Sequence, residues 1–265
     1  MLSFNSLGRR GRLGNQMFQY AALFAFARRL GADFCIPRAD GDDPFADHQL
    51  LRVFRLPGLR FLGRPRGFLT LKETTFAYDP SFCCTCPGDA DLDGYFQSER
   101  YFAACAEEIR AEFRFLPDTE RSCRELISGF GGEIISLHVR RGDYLTDSGN
   151  HPPCPVEYYA EALRHLPASL PVLVFSDDPS WCRTQPLFQG DRWRIVDGNP
   201  NHVDLCLMSL CSHHITANSS FSWWGAWLGR NPRKIVVAPR RWFGNAGYTS
   251  AHDTSDLVPG DWIRI

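Results

Sequence analysis

Ile134-Ile135-Ser136-Leu137-His138-Val139-Arg140-Arg141-Gly142-Asp143-Tyr144 begins as a strand and ends as a cluster of polar groups. Ile135, Leu137 and Val139 alternate with Ser136, His138 and Arg140, the period of two that a pleated strand imposes. His138 and Arg140 therefore share a face. Arg141, Gly142 and Asp143 follow where the strand should give way to a loop. Open α/β sheets bind ligands in the crevice beyond the carboxyl ends of their strands. Two adjacent guanidiniums there suit a diphosphate, because Arg presents forked donors that match phosphate oxygens. A strand end closed by a surface ion pair between an Arg and Asp143 accounts for the same residues equally well.

Outward from this strand the pattern is regular. Strands are expected at 134–140, 172–176, 193–196, 214–217 and 234–238, with helices at 155–166, 179–184, 203–211 and 221–228 between them. Strands alternating with short helices mean βαβ units, a parallel sheet and right-handed crossovers. Upstream, residues 1–5 read as a strand. The helix expected over 15–30 carries Met17, Tyr20, Ala21 and Phe24 on one stripe, with Gly31 as its stop, and a second strand follows at 33–36. Residues 37–92 are rich in Pro, Gly, Arg and Asp and read as loops with short strands around 68–71. A helix is expected over 99–112. The composition shifts at 115–132, which divides the chain into residues 1–125 and 126–265.

With 265 residues, 44% hydrophobic and 13% aromatic, the chain has ample core for two small α/β domains and does not read as disordered. A net charge of −1 gives no electrostatic case for nucleic-acid binding. The opening residues do not read as a secretory signal, and the longest apolar run, 20–27, is far short of the ~20 residues of a membrane span. A cytoplasmic protein is expected, with peripheral membrane contact left open. Ten cysteines in a reducing compartment are expected to be free and mostly buried. The cluster of Cys83, Cys84 and Cys86 lacks the second ligand pair of a structural zinc site.

Other constellations carry both a functional and a structural reading. Gly11-Arg12-Leu13-Gly14-Asn15-Gln16 joins the first strand to the first helix. It allows close approach of an anion, or serves as an ordinary turn capped by Asn15. It is not the dinucleotide fingerprint. Asn218-Ser219-Ser220-Phe221 opens an aromatic helix, where Ser219 and Ser220 are suited to capping or to phosphate binding. Trp223, Trp224 and Trp227 read as core rather than as a sugar platform. Asp177-Asp178-Pro179 reads first as a helix cap with Pro at the first helical position, and second as a carboxylate pair for acid/base work or a metal. Asp89, Asp91 and Asp93 form an Asp-x-Asp run in an irregular region, a pattern some transferases use to hold a metal.

Taken together, three blocks resemble one family: 11–21 (GRLGNQMFQYA), 138–144 (HVRRGDY) and 217–228 (ANSSFSWWGAWL). With Asp93-Gly94-Tyr95-Phe96-Gln97-Ser98 and Phe175-Ser176-Asp177-Asp178 in the same order, they are similar to the signature blocks of the α-1,2-fucosyltransferases, glycosyltransferase family eleven. The resemblance spans essentially the whole chain. It implies a GT-B-like α/β fold of two Rossmann-type domains with parallel sheets facing a cleft, the first on the acceptor side and the second binding the donor. It implies GDP-β-L-fucose as co-substrate, a galactose-terminated glycan as acceptor, inversion at the anomeric carbon, and no metal. By the same likeness Arg140 holds the departing diphosphate, with Arg141 beside it. Arg12, Gly14, Asn15, His138, Asp177, Asp204, Asn218, Ser219, Ser220 and Phe221 contact the donor, Asp204 reading the guanine. Asp143 is one candidate for the base, or the ion-pair partner of Arg141.

Two rival readings stay open on the sequence. One is a metal-dependent transferase using Asp89, Asp91 and Asp93. The other is an inactive nucleotide-sugar-binding or lectin-like protein that keeps the pockets.

Overall fold

The computed structural model describes residues 1–38, 47–82 and 88–265. They form two compact units, Met1–Leu116 with Ala251–Pro259, and Pro117–Ser250 with Gly260–Ile265. The division expected at 125/126 runs through a helix, Pro117–Ser128.

The first unit is built on strands β1 (Leu2–Ser3), β2 (Phe34–Ile36), β3 (Phe61–Leu62), β4 (Leu69–Lys72) and β5 (Ala90–Asp93). They lie in the order β3-β2-β1-β5-β4, with every pairing parallel. Helices α1 (Leu13–Leu30), α2 (Leu50–Val53) and α3 (Ala106–Glu112) pack around them. Gly31 ends α1 in the left-handed region at φ 59°, where a residue without a Cβ carries no strain. Residues 13–27 of α1 are buried except Asn15, so its two glutamines must find partners inside. Gln16 Nε2 donates to the Asp47 carbonyl at 2.7 Å, and Gln19 Nε2 to the Gly94 carbonyl at 3.1 Å.

Two expectations for this half are corrected. The run of Asp89, Asp91 and Asp93 is not irregular: residues 90–93 are β5, beside the central strand. Asp91 accepts from Ser3 Oγ and the Asn5 amide, both at 2.8 Å, and Asp93 accepts from Arg10 at 2.7 Å. These carboxylates tie β5 to the chain leaving β1. The helix expected over 99–112 is two 3₁₀ turns, Glu99–Tyr101 and Ala103–Cys105, ahead of α3, because Phe102 leaves helical geometry at φ −130°.

The second unit holds β6 (Ile135–Val139), β7 (Val172–Ser176), β8 (Trp193–Ile195), β9 (His213–Ile215), β10 (Val236–Ala238) and β11 (Ile263–Arg264). Their order is β11-β10-β9-β6-β7-β8, all parallel. Helices α4 (Pro117–Ser128), α5 (Val156–Leu163), α6 (Pro179–Thr184), α7 (Asn201–Leu210), α8 (Ser220–Leu228) and α9 (Ala246–Ala251) complete it. Every residue of β6 is buried, as a central strand covered on both faces requires. The indoles of Trp223, Trp224 and Trp227 are buried against one another and Trp262, so they are core. Lys234 Nζ closes α8 by donating to the carbonyls of Ala226 (2.7 Å) and Gly229 (2.9 Å), where a cation meets the helix dipole.

Among the described residues, Cys35, Cys105, Cys123, Cys182, Cys206 and Cys211 are buried free thiols, and Cys154 is half-buried. Cys83, Cys84 and Cys86 lie outside the described residues. No described helix is long and apolar enough to cross a membrane.

Candidate active site

In the second unit the chain leaves β6 for β7 and β8 on one side, then returns to β9 on the other. The gap between β6 and β9 is thus the topological switch point, where the loops diverge and leave a crevice at the carboxyl edge. Three strand ends converge there. Arg140 and Arg141 follow β6, Asp177 and Asp178 follow β7, and Asn218 to Phe221 follow β9.

The arginines are held by carboxylates. Arg140 Nη1 lies 2.9 Å from Asp177 Oδ2, and its Nη2 lies 2.5 Å from Asp143 Oδ1. Arg141 Nε pairs with Asp178 Oδ2 at 3.1 Å, and its guanidinium sits 3.9 Å above the Trp181 ring. The Arg141 amide donates to Asp177 Oδ1 at 2.9 Å. Asp143 is therefore the partner of Arg140, not of Arg141 as expected. The turn at Gly142 carries it back over the side chain three residues earlier. Asp178 does two jobs: Oδ1 caps α6 by accepting from the Trp181 amide at 3.0 Å, and Oδ2 takes Arg141. Trp181 was invisible as a site residue in the sequence. Only its place in the first turn of α6, set by the Asp178-Pro179 start, brings it under Arg141.

His138 sits on β6, 6% exposed, with its ring 5.8 Å from Phe221. Burial, with Arg140 nearby, pushes its imidazole down to about 3, so it is neutral at pH 7. Its Nδ1 has no hydrogen-bond partner among the described residues. A buried orphan nitrogen is expensive unless a ligand satisfies it.

The β9 end is a helix entry. Ser219 has the extended backbone of an N-cap, and its Oγ accepts from the Phe221 amide at 3.3 Å; Ser220 is the first helical residue. Asn218 is 1% exposed and its side chain is spent on the protein. Nδ2 donates to the carbonyls of Pro152 (3.0 Å) and Trp242 (2.9 Å), and its own carbonyl takes the Tyr144 hydroxyl at 2.9 Å. It ties three loops together. Asp204 lies in the first turn of α7, which also opens on the carboxyl edge of the sheet. Asn199 Nδ2 donates to it at 3.0 Å, and burial pushes its carboxyl up to about 6.

The first unit has its own turn at the end of β1. Arg12 occupies the cap position of α1 with no side-chain cap bond, so Asn15 is not the cap but lies in the first helical turn. Its Oδ1 accepts from Gln97 Nε2 at 2.9 Å, linking the turns after β1 and β5, again the two strands at a switch point. Gly11 has φ 80°, and a Cβ there would sit 2.1 Å from Asn15 Nδ2. Gly14 lies buried beside it. The same turn buttresses Glu73, which accepts the amides of Tyr95 (2.7 Å) and Phe96 (3.0 Å); burial pushes it up to about 7.

Two parallel Rossmann-type sheets, one with paired guanidiniums at its switch point, are the α/β architecture shared with GT-B fucosyltransferases of known structure. The profile of glycosyl transferase family 11 matches residues 78–264, and the chain belongs to that family. It is 31% identical to an α-1,2-colitosyltransferase of Escherichia coli, over 96% of each chain. It is 29% identical to galactoside α-(1,2)-fucosyltransferase 1 of Bos taurus, over 83% of this chain and 64% of that one. Among solved structures it resembles NodZ, an α-1,6-fucosyltransferase known from Bradyrhizobium, in a crystal soaked with GDP-fucose. The TM-score is 0.55 at 17% identity, over 89% of this chain and 94% of that one. At that identity the likeness speaks to the fold.

Proposed function

We propose that the protein transfers L-fucose from GDP-β-L-fucose to the 2-hydroxyl of a terminal galactoside, with inversion at the anomeric carbon. The observation that carries this reading is the guanidinium pair braced by Asp143, Asp177 and Asp178 at the switch point. Breaking the anomeric C–O bond puts negative charge on the leaving diphosphate. Donors already aimed at that position stabilise it without reorganising. The guanidiniums supply the charge a divalent cation supplies elsewhere, so transfer is expected to be unchanged in excess EDTA. A rate that collapses with chelator and returns with Mn²⁺ refutes that part of the reading.

In this reading Arg140 and Arg141 bind the diphosphate, and the Ser219–Ser220–Phe221 helix entry and His138 Nδ1 meet the nucleotide. Asp204 accepts the guanine edge, and Arg12, Gly14 and Asn15 are further donor contacts. Asn218 and Asp177 act through the groups they hold. The likeness of the chain to an α-1,2-colitosyltransferase supports a second reading, in which the transferred sugar is colitose, L-fucose without its 3-hydroxyl.

The test is ligand protection followed by donor competition. Binding to the native state raises the melting temperature. GDP should raise it and UDP or CMP should not; the reverse order refutes the donor assignment. Comparing kcat/KM for GDP-fucose and GDP-colitose then chooses between the sugars. A site built to bond the 3-hydroxyl rejects the deoxy sugar strongly, whereas an apolar contact there does not.

A further inference from the structure

Beyond Tyr144 the loop folds back and presents a carboxylate–imidazole pair. Asp147 Oδ2 lies 2.7 Å from His151 Nδ1. The backbone makes the same return, with the His151 amide donating to the Asp147 carbonyl at 2.8 Å. Asp147 Oδ1 is held in turn by Asn150 Nδ2 at 2.9 Å. Aromatic rings enclose the imidazole: Tyr144 at 5.2 Å, Phe243 at 5.4 Å and Tyr248 at 5.5 Å. The wall formed by Phe243 is itself fixed. The Gly244 amide donates to the Asn150 carbonyl at 2.7 Å, and a Cβ at Gly244 would lie 2.1 Å from the Gly149 carbonyl oxygen.

This arrangement determines the tautomer. A proton on Nδ1 is shared with Asp147, which leaves Nε2 as the acceptor. His151 makes no other side-chain hydrogen bond among the described residues, and it is 27% exposed, so a ligand can reach it. The pair also stands beside the diphosphate receptor. The Tyr144 ring that packs on His151 carries the Arg140 guanidinium 5.3 Å from its centroid.

Asp143, the carboxylate nearest the arginines, has Oδ1 engaged by Arg140. It holds a guanidinium rather than waiting for a proton. We propose that His151 is the general base of the transfer, oriented by Asp147. This rests on the sugar-transfer reading above. The acceptor oxygen forms a bond to the anomeric carbon as the bond from that carbon to the β-phosphate oxygen breaks. The electron pair of the broken bond leaves with the diphosphate. The acceptor proton passes to His151 Nε2, and the resulting imidazolium is paired with Asp147 until it returns the proton to solvent.

A base must be unprotonated to act, so kcat/KM should fall toward acid pH. The charged or titratable groups on the elements around His151 are Asp147, Tyr144, Cys154, Tyr248 and Arg241, with Arg140, Asp143 and Asp177 behind Tyr144. Of these Asp147 alone bonds the ring.

The experiment is steady-state transfer from GDP-fucose and GDP-colitose across pH, for wild type, His151→Asn and Asp147→Asn. GDP protection and circular dichroism are measured alongside. His151→Asn should lower kcat by roughly 10² to 10⁴ and flatten the acid limb, with GDP protection intact. Added imidazole should restore part of the rate to His151→Ala. Asp147→Asn should lose less and shift the same limb. A folded His151→Asn protein with wild-type kcat, or one that keeps the acid limb, overturns the proposal. If His151→Asn does not fold, an unshifted limb in Asp147→Asn overturns it instead. Failure of the underlying reading looks different: wild type itself shows no GDP protection and no transfer.

Discussion

Arg140 and Asp177 form a 2.9 Å ion pair across the carboxyl ends of the neighbouring strands β6 and β7. The second oxygen of Asp177 takes the Arg141 amide, so one carboxylate sets both the side chain of the first arginine and the backbone of the next. The register explains why. Val139 pairs with Ser176, which leaves Arg140 level with Asp177 just past the last rung. Arg140→Lys keeps the charge but loses the planar fork. It should remain folded and lose on the order of 10² or more in kcat, with a smaller change in donor KM. Near-normal kcat in a folded Arg140→Lys protein would mean that this arginine is structural.

Gly142 is a second lever on the same pair. A Cβ on it would lie 2.4 Å from Asp177 Oδ2 and 3.1 Å from the carboxyl carbon. Gly142→Ala should therefore push Asp177 off Arg140 while leaving the buried β6 intact. Misplacing a catalytic group by about 1 Å can cost roughly 10²-fold, and a loss of that order is expected with little change in melting temperature. Unchanged turnover would show that Asp177 need not hold its present position.

The receptor is over-supplied with negative charge. Two guanidiniums meet three carboxylates, and His138 adds no charge at neutral pH. Asp143 is the most exposed of the three, at 49%, and on the proposed reading a bound diphosphate has to compete with it for Arg140. Asp143→Asn should therefore tighten GDP binding several-fold, read by titration calorimetry at low salt. Weaker binding in the variant would show that Asp143 supports the bound state instead.

Buried neutral imidazoles make stability depend on pH. His138 is pushed down to about 3 in the folded chain, against about 6.5 when unfolded. Between those values the unfolded chain takes up a proton that the native one refuses. The stability His138 contributes is whole above about pH 6.5 and drains away as pH falls toward 3. From pH 7 to pH 5 that single site predicts a loss on the order of 2 kcal/mol. His214, buried and shifted the same way, adds to it. Denaturant unfolding of wild type and His138→Gln at both pH values checks this. The variant should lose less stability on acidification, and an identical loss would count against a buried neutral His138.

What could be read in advance follows from how local each feature is. The alternation of Ile135, Leu137 and Val139 fixes β6 by itself, and Asp178-Pro179 fixes the start of α6. The sequence pattern alone thus puts Arg140 and Arg141 after β6 and Asp177 and Asp178 after β7, where the structure has them. Their partners do not follow from it, because pairing depends on register between strands: Arg141 reaches Asp178 and Trp181 across β6 and β7, some forty residues apart in sequence. β5 was missed because two of its four residues are Asp, a poor strand former whose carboxylates here are consumed by Ser3, Asn5 and Arg10. The Asp147–His151 pair spans four residues of a loop, where no periodicity marks it.

The proposed transfer, by this family 11 enzyme, takes L-fucose or colitose from its GDP-linked donor at the Arg140–Arg141 receptor to a galactoside 2-hydroxyl. Its most direct test is one incubation with GDP-fucose, or GDP-colitose, and a β-galactoside in excess EDTA, following GDP release and the linkage of the product by NMR. The expected result is one GDP per sugar transferred and an α-1,2 linkage, with transfer slowed on the order of 10² or more in Arg140→Lys. Transfer from a UDP-sugar but from neither GDP-sugar, or a product linked elsewhere on the galactose, would contradict it.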